Sequence, residues 1–159
     1  MGRDVTLLII VVIFILISII DIKKKIIPNT LVIILGILSY FYNCINFTLE
    51  DIFLGGCVYL TAFSLIYGYG SDFLKKECLG FGDVKLSFSL GILMTYTTLL
   101  DVVFFINMTF SLALLYYVLV MILKKHKIEE IPLGPFLIIS TIVKLLNRGL
   151  LWRIKVLPL

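Results

Sequence analysis

Two aspartates in a strongly apolar chain carry its candidate chemistry. Asp21 closes the first long apolar run, and Asp83 ends the turn Gly80-Phe81-Gly82-Asp83. A charge at membrane depth costs at least about 2.5–3.5 kcal/mol on insertion scales, so a carboxylate beside such runs needs a reason to be there. Two carboxylates about 3 Å apart share one proton, because both cannot ionise together. The ionised one then takes a proton from water while the protonated one polarises a carbonyl, which is hydrolysis without a metal.

Each aspartate also has an ordinary structural interpretation. A glycine-rich turn that ends in Asp is common as a helix cap, and G-x-G-D alone is a weak signal. Asp21 by itself looks like the polar end of a helix that is followed by Lys23, Lys24 and Lys25. The elements that hold the two residues therefore decide whether they form one site.

The composition is that of an integral membrane protein. The chain has 159 residues, of which 61% are hydrophobic and 15% charged, and its mean hydropathy is +1.15. A soluble domain is about 45–50% apolar and about 25% charged. The apolar runs are continuous rather than alternating, which favours helices over a barrel. We expect an all-α membrane protein in which residues 1–159 form one domain with six transmembrane helices, at about 5–20, 30–45, 52–67, 84–96, 99–123 and 131–146.

Basic residues predict the orientation of these helices. The connections after the first, third and fifth runs carry eight lysines, and those after the second and fourth carry none. The positive-inside rule then places the lysine-bearing connections in the cytoplasm and both termini outside, although the basic C-terminal tail argues mildly the other way. Asp21 follows the first run and Asp83 precedes the fourth. Both are therefore expected at the cytoplasmic face of the cell membrane, where they can converge.

The residues around Asp83 suit such a site. Gly80 and Gly82 let a substrate backbone approach closely and allow the turn to use positive φ. Asp83 is expected at the N-terminus of the fourth helix, where the helix dipole favours its ionised form. Lys85 either adds to this effect or extends its amine to the interface.

Other local signals concern the ends and contacts of the helices. Pro28 disfavours helix before it, so Asn29 or Thr30 is expected to cap the second helix. The pair Gly55-Gly56 predicts a close helix–helix approach. The longest polar connection is predicted at 68–83, and the tail at 147–159 is predicted to be an interfacial helix. The first run lacks a small-residue cleavage site, so we expect a retained helix rather than a signal peptide.

Several classes of function are not supported. The three cysteines, Cys44, Cys57 and Cys78, form no C-x-x-C pair, and His126 is the single histidine. A zinc site needs about four well-spaced ligands, so neither a metal nor another cofactor is expected. The net charge of +4 comes from small lysine clusters beside apolar runs rather than from one basic face. Nucleic acid is therefore not an expected partner.

Three short pieces occur together in this chain. The first is Asp21 followed by Ile27-Pro28-Asn29, the second runs from Gly80 to Leu86, and the third contains Pro132-Leu133-Gly134-Pro135. The two aspartates are 62 residues apart. In the order, spacing and placement of these pieces, nearly the whole chain resembles the type IV prepilin peptidases and the related preflagellin peptidases, which are G-x-G-D membrane aspartic proteases.

The resemblance implies a six-helix peptidase that cuts the basic leader from prepilin-like precursors at the cytoplasmic membrane face. Asp21 and Asp83 would be the catalytic pair, with Gly80 and Gly82 as the motif glycines. The Pro132–Pro135 turn would either shape the site or simply begin a helix. Many members of the family carry a zinc-binding cysteine insertion and also methylate the new N-terminus. This chain lacks those cysteines, so we expect cleavage without methylation.

Other interpretations stay open at this point. Within the family, the substrate could be a preflagellin or a pseudopilin. The presenilin branch shares G-x-G-D but uses a Tyr-Asp pair, and here Asp21 follows Ile20. A different class would be a non-enzymatic transporter or scaffold that uses Asp21 and Asp83 as an ion site. Their placement at helix ends rather than in mid-span disfavours that class.

Overall fold

The computed structural model describes residues 3–75, 79–124 and 131–156, and all of its regular structure is helical. The helices are α1 (Arg3–Lys24), α2 (Asn29–Asn43), α3 (Leu49–Leu74), α4 (Phe81–Met94), α5 (Leu99–Lys124) and α6 (Gly134–Val156). The prediction of an all-α chain with six helices is therefore confirmed. The expectations for Cys78 and His126 concern positions outside the described residues.

The helices differ in length. α1, α3 and α5 are long and apolar enough to cross a membrane, over Asp4–Lys24, Leu49–Phe73 and Leu99–Leu123. The apolar helix α2 and the first part of α6, Gly134–Asn147, are shorter. α4 has 14 residues and is therefore about 21 Å long, which is less than the roughly 30 Å hydrocarbon core. The orientation of the termini stays a prediction.

Two predicted boundaries are wrong. α3 continues to Leu74, so more than the first third of the polar connection predicted at 68–83 is helix. Tyr69 and Phe73 are four residues apart on this helix and are 74% and 88% exposed. They extend its outer apolar face past the intervening polar residues, which is why the helix continues. The helix ends where Lys75 adopts the left-handed conformation, with φ 51°.

α6 begins at Gly134 rather than at 131, since Pro135 falls in the first turn, where a missing amide hydrogen breaks no helical bond. The Leu133 carbonyl accepts the first hydrogen bonds, from the amides of Phe136 at 3.0 Å and Leu137 at 3.1 Å. The backbone of α6 continues through most of the tail that was predicted as a separate interfacial helix. The side chains of that tail lie outside the described part of the structure.

α4 is the central helix and packs against α2, α3 and α6. From Asp83 onward nearly every side chain in it is buried. Its closest neighbour is α3, because a Cβ added to Gly55 would lie 2.6 Å from the Gly91 carbonyl oxygen. The predicted close approach at Gly55-Gly56 is therefore confirmed. On the α2 side, the Ser89 hydroxyl of α4 donates a hydrogen bond to the Val32 carbonyl of α2 at 2.9 Å.

The far end of α4 is held by an amide from α2. The Asn43 side chain donates to the carbonyls of Ile92 and Leu93, each at 2.8 Å, and so satisfies two carbonyls of the last turn. At the same end, Thr48 caps α3 by accepting from the Asp51 amide at 3.3 Å. Contacts away from the site thus fix both the middle and the end of α4.

Five of the helices form two groups: α2, α3 and α4 pack together, and α5 packs against α6. α1 contacts both groups, through α2 and α6, and α4 also contacts α6. Fully buried aromatic rings lie between α3 and α5, with Phe105 5.3 Å from Tyr59 and 6.2 Å from Phe63, both edge-on. The two predicted site aspartates lie on α1 and α4.

Candidate active site

Asp21 lies in the last turns of α1 and is only 4% exposed. Its Oδ2 accepts a hydrogen bond from the Gly134 amide, at 2.9 Å, across the α1–α6 contact. Gly134 is at the beginning of α6, where backbone amides have no partner within the helix. The carboxylate therefore supplies the acceptor that this helix end lacks, and the amide in turn stabilises the negative charge on Asp21.

Gly134 has no room for a side chain. A Cβ at this position would lie 2.7 Å from Asp21 Oδ2 and 3.2 Å from its carboxyl carbon. The glycine of the Pro132-Leu133-Gly134-Pro135 segment thus lets α6 come close enough for the amide to reach the carboxylate. The two prolines flank this contact and are half-buried.

Asp83 lies in the first turn of α4, as predicted, and is 8% exposed. A Cβ on Gly80 would lie 3.1 Å from Asp83 Oδ2, so the glycine gives this oxygen its space. The other oxygen, Oδ1, is buried and accepts no hydrogen bond from any residue that the structure describes. A buried carboxylate oxygen without a donor disfavours the ionised form.

Electrostatics link the two aspartates. Burial first, and the charge of Asp21 second, raise the pKa of Asp83 to about 7, while a backbone hydrogen bond from Gly80 opposes the rise. The helix dipole favours the ionised form of Asp83, but burial has the larger effect and raises its pKa. The charge of Asp21 thus acts on Asp83, so the two carboxylates lie within electrostatic range of each other. That they form a catalytic pair stays a prediction.

Gly80 and Gly82 do not use positive φ, which corrects the prediction made for them. Gly80 has φ −74°, and no glycine in the described part of the chain has a positive value. Gly82 has a packing role instead: a Cβ there would lie 3.1 Å from the Cβ of Ile27, which is buried. The glycines therefore let the start of α4 fit beneath the α1–α2 connection.

Lys85 joins two of the sequence pieces. Its amine donates to Asn29 Oδ1 at 3.1 Å and lies 4.7 Å from the centroid of the Phe81 ring. Asn29 is the first residue of α2 and does not cap it, because the residue before the helix is Pro28 and no side-chain cap forms. Lys85 is not among the groups that set the pKa of Asp83. Its role is to hold α4 against the beginning of α2.

An apolar groove begins at the Asn29–Lys85 contact. It has a volume of about 720 Å³ and runs between α2 and α3 over the surface of α4, as far as Tyr40 and Phe53. Within the described residues, no three histidine, cysteine or acidic side chains are grouped so that they could hold a metal ion.

Sequence reasoning missed one polar contact in the middle of the bundle. Lys144 of α6 donates a hydrogen bond to the Tyr59 hydroxyl of α3. The signal was present, since Lys144 is a lysine inside the apolar run predicted as the sixth span. An ionisable residue at such a position is itself a reason to look for a partner.

The comparisons with known proteins agree with the site. Neither the curated proteins nor the solved structures include a match to the chain. The model of the type IV leader peptidase family matches residues 8–123, which include both Asp21 and Asp83. With that match over most of its length, the chain belongs to the type IV leader peptidase family and is a membrane protease.

Proposed function

We propose that the protein is an aspartic endopeptidase that removes the basic leader of type IV prepilin-like precursors. Asp21 and Asp83 would activate the attacking water at the cytoplasmic face of the cell membrane. The observation that carries the proposal is the coupled pair itself: two buried carboxylates, from α1 and α4, in a chain of the leader peptidase family. The lysine-rich connections support the choice of membrane face.

The surroundings of the two carboxylates suggest a different role for each. Burial disfavours charge on both carboxylates, but the Gly134 amide stabilises negative charge on Asp21, so Asp21 would be the base that takes a proton from water. Asp83, whose pKa is raised to about 7, is protonated in about half of the molecules at neutral pH and would donate that proton toward the carbonyl oxygen. The water oxygen bonds to the carbonyl carbon and gives a gem-diol. The C–N bond then breaks as the proton held by Asp21 passes to the leaving amine, and one hydroxyl proton of the diol returns to Asp83 as the C=O bond forms again.

The groove offers a place for the membrane-embedded part of the substrate. Its walls are apolar, it begins beside Lys85, and Lys85 is two residues from Asp83. An apolar segment of a precursor would bury its side chains there while its basic leader stays at the aqueous end. Because preflagellin and pseudopilin precursors present the same kind of junction, they belong in the same substrate panel.

The test is co-expression of the protein with candidate pilin-like precursors, with loss of the leader read by mass spectrometry. Asp21→Asn and Asp83→Asn should each lower cleavage by at least about 10³-fold, as removal of one member of a catalytic unit does in other proteases. The spectrum should also show a mature N-terminus without a methyl group.

Asp4→Asn is the matched control, because Asp4 is on the same helix as Asp21 but is exposed at its other end. It should cleave at the wild-type rate. If Asp21→Asn or Asp83→Asn retained full cleavage while remaining in the membrane, the two-carboxylate mechanism would be refuted. Purified protein that cleaves no precursor, yet makes liposomes conduct protons, would instead support an ion-site role.

A further inference from the structure

Lys144 is an ionisable residue within the apolar part of α6, Gly134–Asn147. It follows Gly134 by ten residues along the helix, which is about 15 Å at 1.5 Å per residue and roughly half of the hydrocarbon thickness. An ammonium group at that depth is costly unless it has a partner, and such residues are rarely incidental. The question is what Lys144 holds in place.

Its partner is Tyr59 of α3. The Lys144 amine donates to the Tyr59 hydroxyl and lies 5.1 Å from the centroid of the same ring. Tyr59 is 0% exposed, so its hydroxyl reaches this amine without access to the lipid phase. One amine thus makes a hydrogen bond and a cation–π contact to one residue, in surroundings of low dielectric where both are strengthened.

Tyr59 is in turn fixed against α4. A Cβ at Gly91 would lie only 3.0 Å from the Tyr59 Cβ. The Ser87 hydroxyl, which donates to the Val84 carbonyl at 2.7 Å, also lies 3.4 Å from the Tyr59 carbonyl. The position of the Tyr59 side chain is therefore tied to α4, which carries Asp83. Lys144 is on α6, whose first amide holds Asp21. The Tyr59–Lys144 contact is therefore a polar link between α3, which packs on the helix of Asp83, and α6, whose first amide holds Asp21.

We propose that Tyr59 and Lys144 form an intramembrane clamp that sets the position of Asp21 relative to Asp83. They are positioning residues for the pair, and calling the pair catalytic rests on the proposed function. A slip of α6 by one residue would move Gly134 by about 1.5 Å. A misplacement of about 1 Å is enough to lower a rate about 10²-fold.

The first test measures kcat and KM for Tyr59→Phe, Lys144→Met and the double variant, in the full chain reconstituted in lipid. Each single change should lower kcat per folded enzyme about tenfold and leave KM within about twofold, because the geometry of the pair changes while the groove does not. The double variant should be no worse than the poorer single variant by more than about twofold, since both changes remove the same contact.

The matched control is Tyr69→Phe, which removes the same hydroxyl from an exposed tyrosine of the same helix and should leave kcat unchanged. The clamp is refuted by a single variant whose kcat stays within about twofold of wild type, even if its melting temperature falls. It is also refuted if the two single effects multiply in the double variant.

A second test needs no substrate and so separates the clamp from the proposed function. Nitroxide labels on Leu65→Cys in α3 and Ile139→Cys in α6, both exposed positions, report the distance between the helix groups by pulsed EPR after Cys44, Cys57 and Cys78 are replaced by serine. Tyr59→Phe and Lys144→Met should broaden or shift the distance distribution by about 1.5 Å or more, and Tyr69→Phe should not. An unchanged distribution in both clamp variants would overturn the inference.

Discussion

Single residues determine how the two carboxylates differ. Asp21 accepts a hydrogen bond from the Gly134 amide, whereas the buried Oδ1 of Asp83 accepts none from any described residue. A pair that shares one proton needs such unequal surroundings, since one member must keep its charge and the other its proton. Gly80 and Gly134 contribute to the pair by having no side chain where the carboxylates lie.

The first residue-scale prediction concerns the pH dependence of cleavage. Burial, and then the charge of Asp21, raise the pKa of Asp83 to about 7. If Asp83 acts as the acid, kcat should fall as the pH rises through about 7, because the proton that it donates is lost. A profile of kcat from about pH 5 to about pH 9 with a liposome-reconstituted enzyme measures this limb. A rate that rises steadily across that range would show that Asp83 works in its ionised form.

The same pKa predicts how stability changes with pH. The folded state holds the Asp83 proton up to about pH 7, whereas an unfolded chain with the ordinary pKa of 3.8 loses it earlier. The folded state binds more protons over this interval, so stability should fall as pH rises from about 4 to about 7 and then level off. Asp83→Asn is uncharged, like the protonated aspartate. Its melting temperature should therefore lack this part of the fall with rising pH. Identical pH dependence of the two proteins would contradict the raised pKa.

At the scale of elements, α4 is the part that the rest of the bundle holds in place. It is short, almost fully buried, and fixed by Asn43 at its end and by glycine contacts along its length. Its first turn carries Asp83, so a shift of this helix is also a shift of the site. The close contact with α3 depends on two glycines, Gly55 and Gly91, whose backbones meet.

A second prediction tests this contact by adding one methyl group. A Cβ at Gly55 or at Gly91 would lie 2.6 Å from the facing backbone oxygen, and backbone cannot move aside as a side chain can. Gly55→Ala and Gly91→Ala should each destabilise the protein by about 1–3 kcal/mol, as overpacking does. Both should also slow cleavage, because the added methyl group pushes α4, which carries Asp83, away from α3. Thermal unfolding in detergent and the cleavage assay provide the measurements.

Gly68→Ala is the control for these variants. Gly68 is also within α3, yet an added Cβ would have nothing within 4 Å, so alanine should be neutral or slightly stabilising there. If all three alanine variants were destabilised alike, the α3–α4 contact would not be the cause.

At the scale of the whole molecule, the orientation in the membrane decides which compartment the aspartate pair faces. The site lies at the ends of α1, α4 and α6 where Lys23, Lys24 and Lys25 also occur. The opposite end of the bundle carries the α2–α3 connection, which has no basic residue. The positive-inside rule therefore predicts that the pair faces the cytoplasm.

Thiol labelling in intact cells tests this orientation. Cys44 is exposed just beyond the end of α2, on the predicted outer side. In a chain with Cys57 and Cys78 replaced by serine, it should react with a membrane-impermeant maleimide. A second variant that keeps only Asp72→Cys, near the other end of α3, should react only after the cells are permeabilised. The reverse pattern would place the pair outside.

The sequence by itself determined the class and the number of helices, and it singled out the two candidate aspartates. Hydropathy and charge are local properties, so the six apolar runs and their lysine-bearing connections can be identified without knowing how the runs pack. Boundaries were less accurate, since Tyr69 and Phe73 continue the apolar face of α3 past polar residues that looked like a loop. Asp21 and Asp83 were found because an acid beside an apolar run is unusual.

Only the tertiary structure decided which groups touch. The Gly134 amide on Asp21, the Asn29–Lys85 bond and the Tyr59–Lys144 contact each join residues that are at least 56 positions apart. Such contacts depend on how each helix is rotated about its axis and where along its length it meets its neighbour. Neither quantity follows from spacing within one run, because the apolar runs are hydrophobic around most of their circumference and therefore leave their rotation open.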